Sequence, residues 1–374
     1  MNKVVKNERI KFLDVAKGIA IIAVVLGHTA GVCESSIFNN MYIMGNINKN
    51  IIIFTSSFHM PMFFILSGIA LFYNNTWQNI SIKEFFIKKS KKILYPYVIF
   101  SILIILFQSI MFSGVDILKD IIDTVILNGI SILWFLIALL IGEVLFVTII
   151  KLCKNKLTKI IIFILFIITN LFLYKINYIP YYDKYINIFK ILNVLNRGIA
   201  ASVFISIGYY STKILKKMKI TKIMQFTLGL LTFILYLYFY KNNGVDFRMS
   251  VIGNPIWYSI NLSLGTFSFI MFSKTILEKC KFLAFLGKNS LIIYLTHLNF
   301  LIINHSINLS LKIFAFKSYI IQFIFLSSII IAIESLLILI INKYLKILID
   351  YNKFDKLVVS KIKVWLKKYD RKIF

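Results

Sequence analysis

Apolar stretches of about twenty residues recur from one end of this chain to the other, and no other feature limits its fold so tightly. A helix needs about 20 residues to cross a hydrocarbon core of ~30 Å. Such runs are read near 12–32, 51–73, 93–113, 130–150, 158–175, 194–212, 223–240, 251–273, 283–304 and 318–342. Of the 374 residues, 59% are hydrophobic and only four are proline, with a mean hydropathy of +0.83. Soluble domains hold roughly 45–50% apolar residues. Backbone polar groups in lipid must be satisfied internally, which leaves helices or closed barrels, and runs this long select helices. The expectation is an all-α fold: a polytopic transmembrane helical bundle of about ten helices. A membrane domain is expected over 1–349 and a basic tail over 350–374. The first run lacks a small-residue cleavage site, so it reads as a span and not as a signal peptide.

The net charge of +28 follows the loops. Lysine clusters at 3–11, 83–92, 151–159, 213–222, 274–281 and in the tail alternate with loops that hold few. The positive-inside rule then puts both termini in the cytoplasm, fixes an even number of spans, and accounts for the charge without nucleic acid. The cell membrane is the expected location. In the tail, Val358, Ile362, Trp365, Leu366 and Tyr369 share one helical face, and Lys356, Lys363, Lys367 and Lys368 lie off it. That pattern reads as an amphipathic helix on an anionic leaflet, or as a solvated basic tail. Cys33, Cys153 and Cys280 are too scattered for a disulfide framework or a metal site. No pair of broken helices, which marks many transporters, stands out.

Ionisable residues inside spans are costly and are functional candidates by default. Lys17 and His28 lie eleven residues apart on one face of the first span, about 16 Å along its axis. Asp14 sits one turn before Lys17, in range of an ion pair. The four histidines, His28, His59, His297 and His305, all fall in the outward half of the bilayer by this topology. His59 precedes Pro61, whose missing N–H weakens the local backbone ladder. His297 either serves the site or donates to a carbonyl, and His305 reads as interfacial. Arg197 holds an acceptor or snorkels. Glu143 and Glu334 read as partners for Arg197 or Lys17. A neutral imidazole is a competent general base near neutral pH. It can take the proton of a hydroxyl that attacks a thioester, with a polar donor on the oxyanion. No metal is needed.

The segments "RIKFLDVAKGIAIIAVVLGHTAG", "SSFHMPMFFILSGIALF", "KKSKKILYPY", "LWFLIALLIGEVLF" and "LGKNSLIIYLTHL" appear in this order over roughly residues 9–300. In them the chain resembles the integral-membrane acyltransferase-3 proteins, and within these the fucose 4-O-acetylase-like branch. The resemblance implies about ten transmembrane helices and transfer of acyl groups, commonly acetyl, from cytoplasmic acyl-CoA to hydroxyls of extracytoplasmic or lipid-linked glycans. A basic residue, ten positions and a histidine mark the family's first helix; Lys17 and His28 match, with lysine in place of the usual arginine. This implies that His28 is catalytic, and His59 matches the histidine of the second-helix motif. A basic-x-x-basic element before the third helix is associated with acyl-CoA. Lys88 with Lys91, or Lys89 with Lys92, fits it, and membrane anchoring is their alternative role. Some members carry an added hydrolase-like domain, for which residues 350–374 leave no room.

The expected reading is therefore a membrane O-acyltransferase. Acetyl-CoA docks on Lys88, Lys89, Lys91 and Lys92, and Lys17 steadies the CoA end or pairs with Asp14. His28 and His59 are the catalytic pair. Arg197, His297 and Asp14 are the candidate substrate contacts. The partners are the bilayer and a cell-envelope glycan. Tyr178, Tyr181, Tyr182 and Tyr185, with Asp183, stack on a sugar or form an interfacial belt. The competing class is a transporter or exporter of a glycan precursor, which would use the same buried charges as a path.

Overall fold

A computed structural model describes residues 10–35, 42–176, 186–218, 220–248, 250, 253–314 and 318–359. Fourteen α-helices are bounded within these residues, and residues 351–359 are helical as well. They are α1 (Lys11–Ser35), α2 (Tyr42–Ser56), α3 (His59–Tyr73), α4 (Ile82–Met111), α5 (Ile117–Val125), α6 (Trp134–Leu152) and α7 (Lys156–Ile176). There follow α8 (Ile186–Leu215), α9 (Lys222–Phe239), α10 (Pro255–Lys274), α11 (Lys281–Lys288), α12 (Ser290–Thr296), α13 (Ile302–Ile313) and α14 (Tyr319–Lys343). Among the described residues, seven stretches are long and apolar enough to cross a membrane, α2 and α3 counting together. The fold is the expected polytopic helical bundle. The 178–185 tyrosine cluster and the tail beyond 359 lie outside the described residues.

Local chemistry sets the helix starts. Ser81 and Glu84 form a reciprocal capping box ahead of α4, and Asn254 caps α10 with Pro255 in its first turn, both favoured arrangements at an N-terminus. The outer faces stay apolar. Ile102, Leu106 and Ile110 of α4, Leu231 and Ile234 of α9 and Leu336 and Leu339 of α14 are exposed. Water would penalise so much open aliphatic surface; lipid does not.

Contacts between helix ends define a lysine-bearing end of the bundle. Lys274 stands 4.8 Å over the Phe12 ring, and Lys216 4.4 Å over Tyr73. Lys151 donates to the carbonyl of Ile80 at 2.5 Å. Lys222 pairs with Glu278 at 2.6 Å.

Helix α1 runs through the middle, packed on α2, α3, α10, α11 and α12. Its Val15, Ala16, Ala20, Val24, Thr29 and Ala30 are fully buried. Small residues let membrane helices approach closely. At Gly18 an added Cβ would stand 2.1 Å from the Leu283 carbonyl oxygen, and at Gly287 1.7 Å from that of Asp14. α1 and α11 thus touch backbone to backbone.

Two spans are interrupted, although no pair of broken helices stands out in the sequence. The second breaks at Ser57–Phe58, between α2 and α3, where the Pro61 ring cannot follow a regular turn. The expected span 283–304 is divided into α11, α12 and the start of α13, with Leu301 left-handed at φ +56°. Side chains around this break bond back to carbonyls four residues earlier. Asn289 Nδ2 donates to Phe285 O at 2.8 Å and Thr296 Oγ1 to Ile292 O at 2.9 Å. His297 Nδ1 meets Ile293 O at 2.7 Å, and Asn299 Nδ2 donates to Leu295 O at 2.9 Å. Irregular backbone at membrane depth persists where it is buried in protein or lines a cavity.

Candidate active site

The close contact of α1 with α11 fixes the register of everything beyond it. Gly18 and Gly287 mark the contact; ten residues further along each chain stand His28 and His297. The two segments run in the same direction, so equal steps of about 15 Å bring the imidazoles to one level. His28 Nδ1 lies 2.8 Å from His297 Nε2, and the rings stack with centroids 5.0 Å apart.

Hydrogen-bond accounting assigns the tautomers. A carbonyl oxygen only accepts, so His297 Nδ1, 2.7 Å from Ile293 O, carries a hydrogen. Neutral His297 then has a bare Nε2, which accepts from Nδ1–H of His28. The lone pair of His28 is thereby left on Nε2. His59 follows the same rule: its Nδ1 donates to Thr55 O at 2.5 Å, one of the carbonyls loosened at the α2–α3 break, and its Nε2 is left bare.

His28 and His59 line one cavity of about 430 Å³, with Thr55, Ser56, Trp134 and Arg248 among its other walls. His297 is fully buried behind His28 and does not line it. A second cavity, about 240 Å³, approaches from the lysine-bearing end. Lys17, Lys89, Lys92, Ser67, Glu143 and Tyr294 are on its walls. An adjoining space of about 190 Å³ adds Lys88 and shares Ser67, Lys89, Lys92 and Glu143. Lys89 pairs with Glu143 Oε2 at 2.6 Å, and Ser67 Oγ donates to Glu143 Oε1 at 2.5 Å.

Several candidates from the sequence stand elsewhere. Lys91 lies 4.8 Å over the Tyr351 ring and lines neither cavity, so Lys89 with Lys92 is the basic pair that faces inward. Arg197 is buried against the α5–α6 loop. It donates to Asn128 Oδ1 at 2.7 Å and to Asn193 O at 3.1 Å, and lies 5.5 Å over Trp134, behind the cavity wall. Asp14 faces neither cavity; its backbone carbonyl forms part of the α1–α11 contact. Glu143 takes Lys89 as its partner and Glu334 Oε2 stands 2.7 Å from Thr296 Oγ1, sharing the one hydroxyl hydrogen with Ile292 O, in place of Arg197 or Lys17. His305 is exposed.

Arg248 escaped sequence reasoning. It sits in the loop between α9 and α10, on the cavity that holds His28. A signal existed: the chain has 43 basic residues, and Arg9, Arg197, Arg248 and Arg371 are its only arginines. An arginine in a loop that is otherwise lysine-poor stands out against that preference.

No curated protein and no solved structure matches the chain. The family model of the acyltransferase domain, Acyl_transf_3, matches residues 10–339, from the start of α1 to the last turns of α14. That span takes in both cavities and every histidine, and the chain belongs to the acyltransferase-3 family of membrane acyltransferases.

Proposed function

We propose that the protein is an O-acyltransferase that moves an acetyl or other short acyl group from acyl-CoA to a hydroxyl of an extracytoplasmic or lipid-linked glycan, as in the fucose 4-O-acetylase-like branch. The observation that carries this reading is the bare Nε2 of His28 on one cavity, with a lysine-lined cavity reaching toward it from the other end. The protein acts in the plasma membrane with both termini and the lysine-bearing end in the cytoplasm.

Acetyl-CoA places its phosphates on Lys89, Lys92 and Lys88, with Lys17 deeper along the same path. Point charges of this kind hold phosphate without fixed geometry. The acceptor enters the histidine cavity from the opposite side. Its hydroxyl gives a proton to His28 Nε2 as it attacks the thioester carbon. His297 steadies the imidazolium through the His28 Nδ1–H bond, a role taken by a carboxylate in hydrolase triads. Arg248 is the strongest donor on the wall and takes the charge that develops on the carbonyl oxygen. The bare Nε2 of His59 accepts from a second hydroxyl of the acceptor, which suits a sugar diol.

Surface glycans from cells carrying the wild-type chain, His28→Ala, or no copy test the reading by mass spectrometry. One added acetyl mass per modified sugar is expected only with the wild type. Equal acetylation with His28→Ala at equal expression would sink it.

A further inference from the structure

The two cavities approach each other back to back. Three places in the chain put near neighbours on opposite sides of the division. Met60 lines the histidine cavity and Phe63 the lysine cavity; Trp134 and Phe135 divide in the same way, as do Leu298 and Tyr294. Three or four residues of helix or turn correspond to roughly 5 Å. The wall is about one side chain thick.

Phe135 occupies it. Its ring lies 4.8 Å from Phe64, 5.5 Å from Tyr294 and 5.7 Å from Phe63, and the residue is only 6% exposed. It stands at the first turn of α6, beside Trp134.

We propose that Phe135 is the shutter between the cavities and the residue that restricts transfer to short acyl chains. The claim rests on the acyl-transfer reading above. In that reaction the acceptor oxygen forms the new carbon–oxygen bond and the carbon–sulfur bond breaks. The acceptor's proton goes to His28 Nε2, and the thiolate leaves on the lysine side, where it takes a proton from water to become the free thiol, while His28 returns its proton to the water of its own cavity and is again neutral. Hydroxyl and thioester start in different cavities, so the acyl carbon must stand in the plane of the wall when they react. The alkyl tail beyond that carbon then lies among Phe135, Phe63 and Tyr294. A ring held on several sides leaves room for a methyl group and little more. Apolar pockets discriminate about 10-fold or more per methylene when one end is closed.

Two arms test it. In a background with Cys33, Cys153 and Cys280 changed to Ser, Ser56→Cys puts a thiol on the histidine cavity. A small membrane-impermeant methanethiosulfonate is then supplied to one side at a time, using right-side-out and inverted vesicles. From the histidine side it labels Ser56→Cys with or without Phe135→Ala, which also shows that both proteins fold. From the lysine side it labels only when Phe135 is Ala; unchanged protection there overturns the shutter. In the second arm, membranes receive radiolabelled acetyl-CoA or hexanoyl-CoA, and label in glycan and lipid-linked sugar is counted. The preference for acetyl falls about 10-fold or more in Phe135→Ala and less in Phe135→Leu. An unchanged preference in both variants overturns the chain-length claim. Absence of transfer from either donor by the wild type overturns the acyl-transfer reading and the chain-length claim with it, while the labelling arm decides the shutter on its own.

Discussion

Replacing His297 by Leu tests the tautomer assignment without touching the cavity wall. The variant removes the acceptor of His28 Nδ1–H, which now stands 2.8 Å from His297 Nε2. Ile293 O keeps its backbone partner, since the amide of residue 297 still donates to it at 3.0 Å. The damage is therefore confined to His28. An unsatisfied buried donor costs about 1–3 kcal/mol, and the cost falls on the one tautomer that presents a bare Nε2. At ~2 kcal/mol the reactive form is depleted about 30-fold. The expected result is a drop of that size in kcat for acyl transfer, with KM for acyl-CoA unchanged, because the lysine cavity is untouched. His297→Gln places an amide oxygen near the position of the lost nitrogen and recovers most of the rate. The assay is label transfer from radiolabelled acetyl-CoA in membranes, normalised to protein. Equal loss in Leu and Gln, or no loss in either, would refute the relay between the two histidines.

Gly287→Val drives a side chain into the Asp14 carbonyl, which lies 1.7 Å from the ideal Cβ position; overpacking typically costs about 1–3 kcal/mol, and the thermal midpoint in detergent should fall with it, an unchanged midpoint contradicting the packing. Lys89→Gln leaves Glu143 buried without its 2.6 Å partner. The Lys89 side chain is 21% exposed, so the loss is about 2 kcal/mol, below that of a fully buried pair, and Lys89→Gln with Glu143→Gln should recover it in the same melt. The hydrogen bond from Lys222 holds the Glu278 carboxyl below the usual carboxylate range. Its contribution is therefore present above the unfolded-state pKa and lost as pH falls through the folded one. The pair is exposed and screened, so Glu278→Gln should change stability by only a few tenths of a kcal/mol at neutral pH and by nothing measurable in acid.

Lipid made the helices legible: a backbone that cannot meet water has few options, and runs such as 93–113 and 318–342 could be read directly. The interruptions were not legible. Asn289, Thr296, His297 and Asn299 are spread over a run that still scores as apolar, and the break beside them, with Leu301 left-handed, has no counterpart in that pattern. The first-helix pattern located His28, yet the role of His297 depends on a contact across 269 positions. No local spacing carries that information. Lys88, Lys89 and Lys92 were separable from Lys91 only once the helix phase against Glu143 was fixed.

The central claim is that His28 takes the acceptor's proton. Transfer of radiolabel from acetyl-CoA to membrane glycan by purified, lipid-reconstituted protein measures it most directly, comparing the wild type with His28→Gln. Loss of about 10³-fold or more in kcat with acetyl-CoA still bound is the expected result, since a general base contributes about 10²–10⁴-fold. Transfer at the wild-type rate by the Gln variant would contradict it.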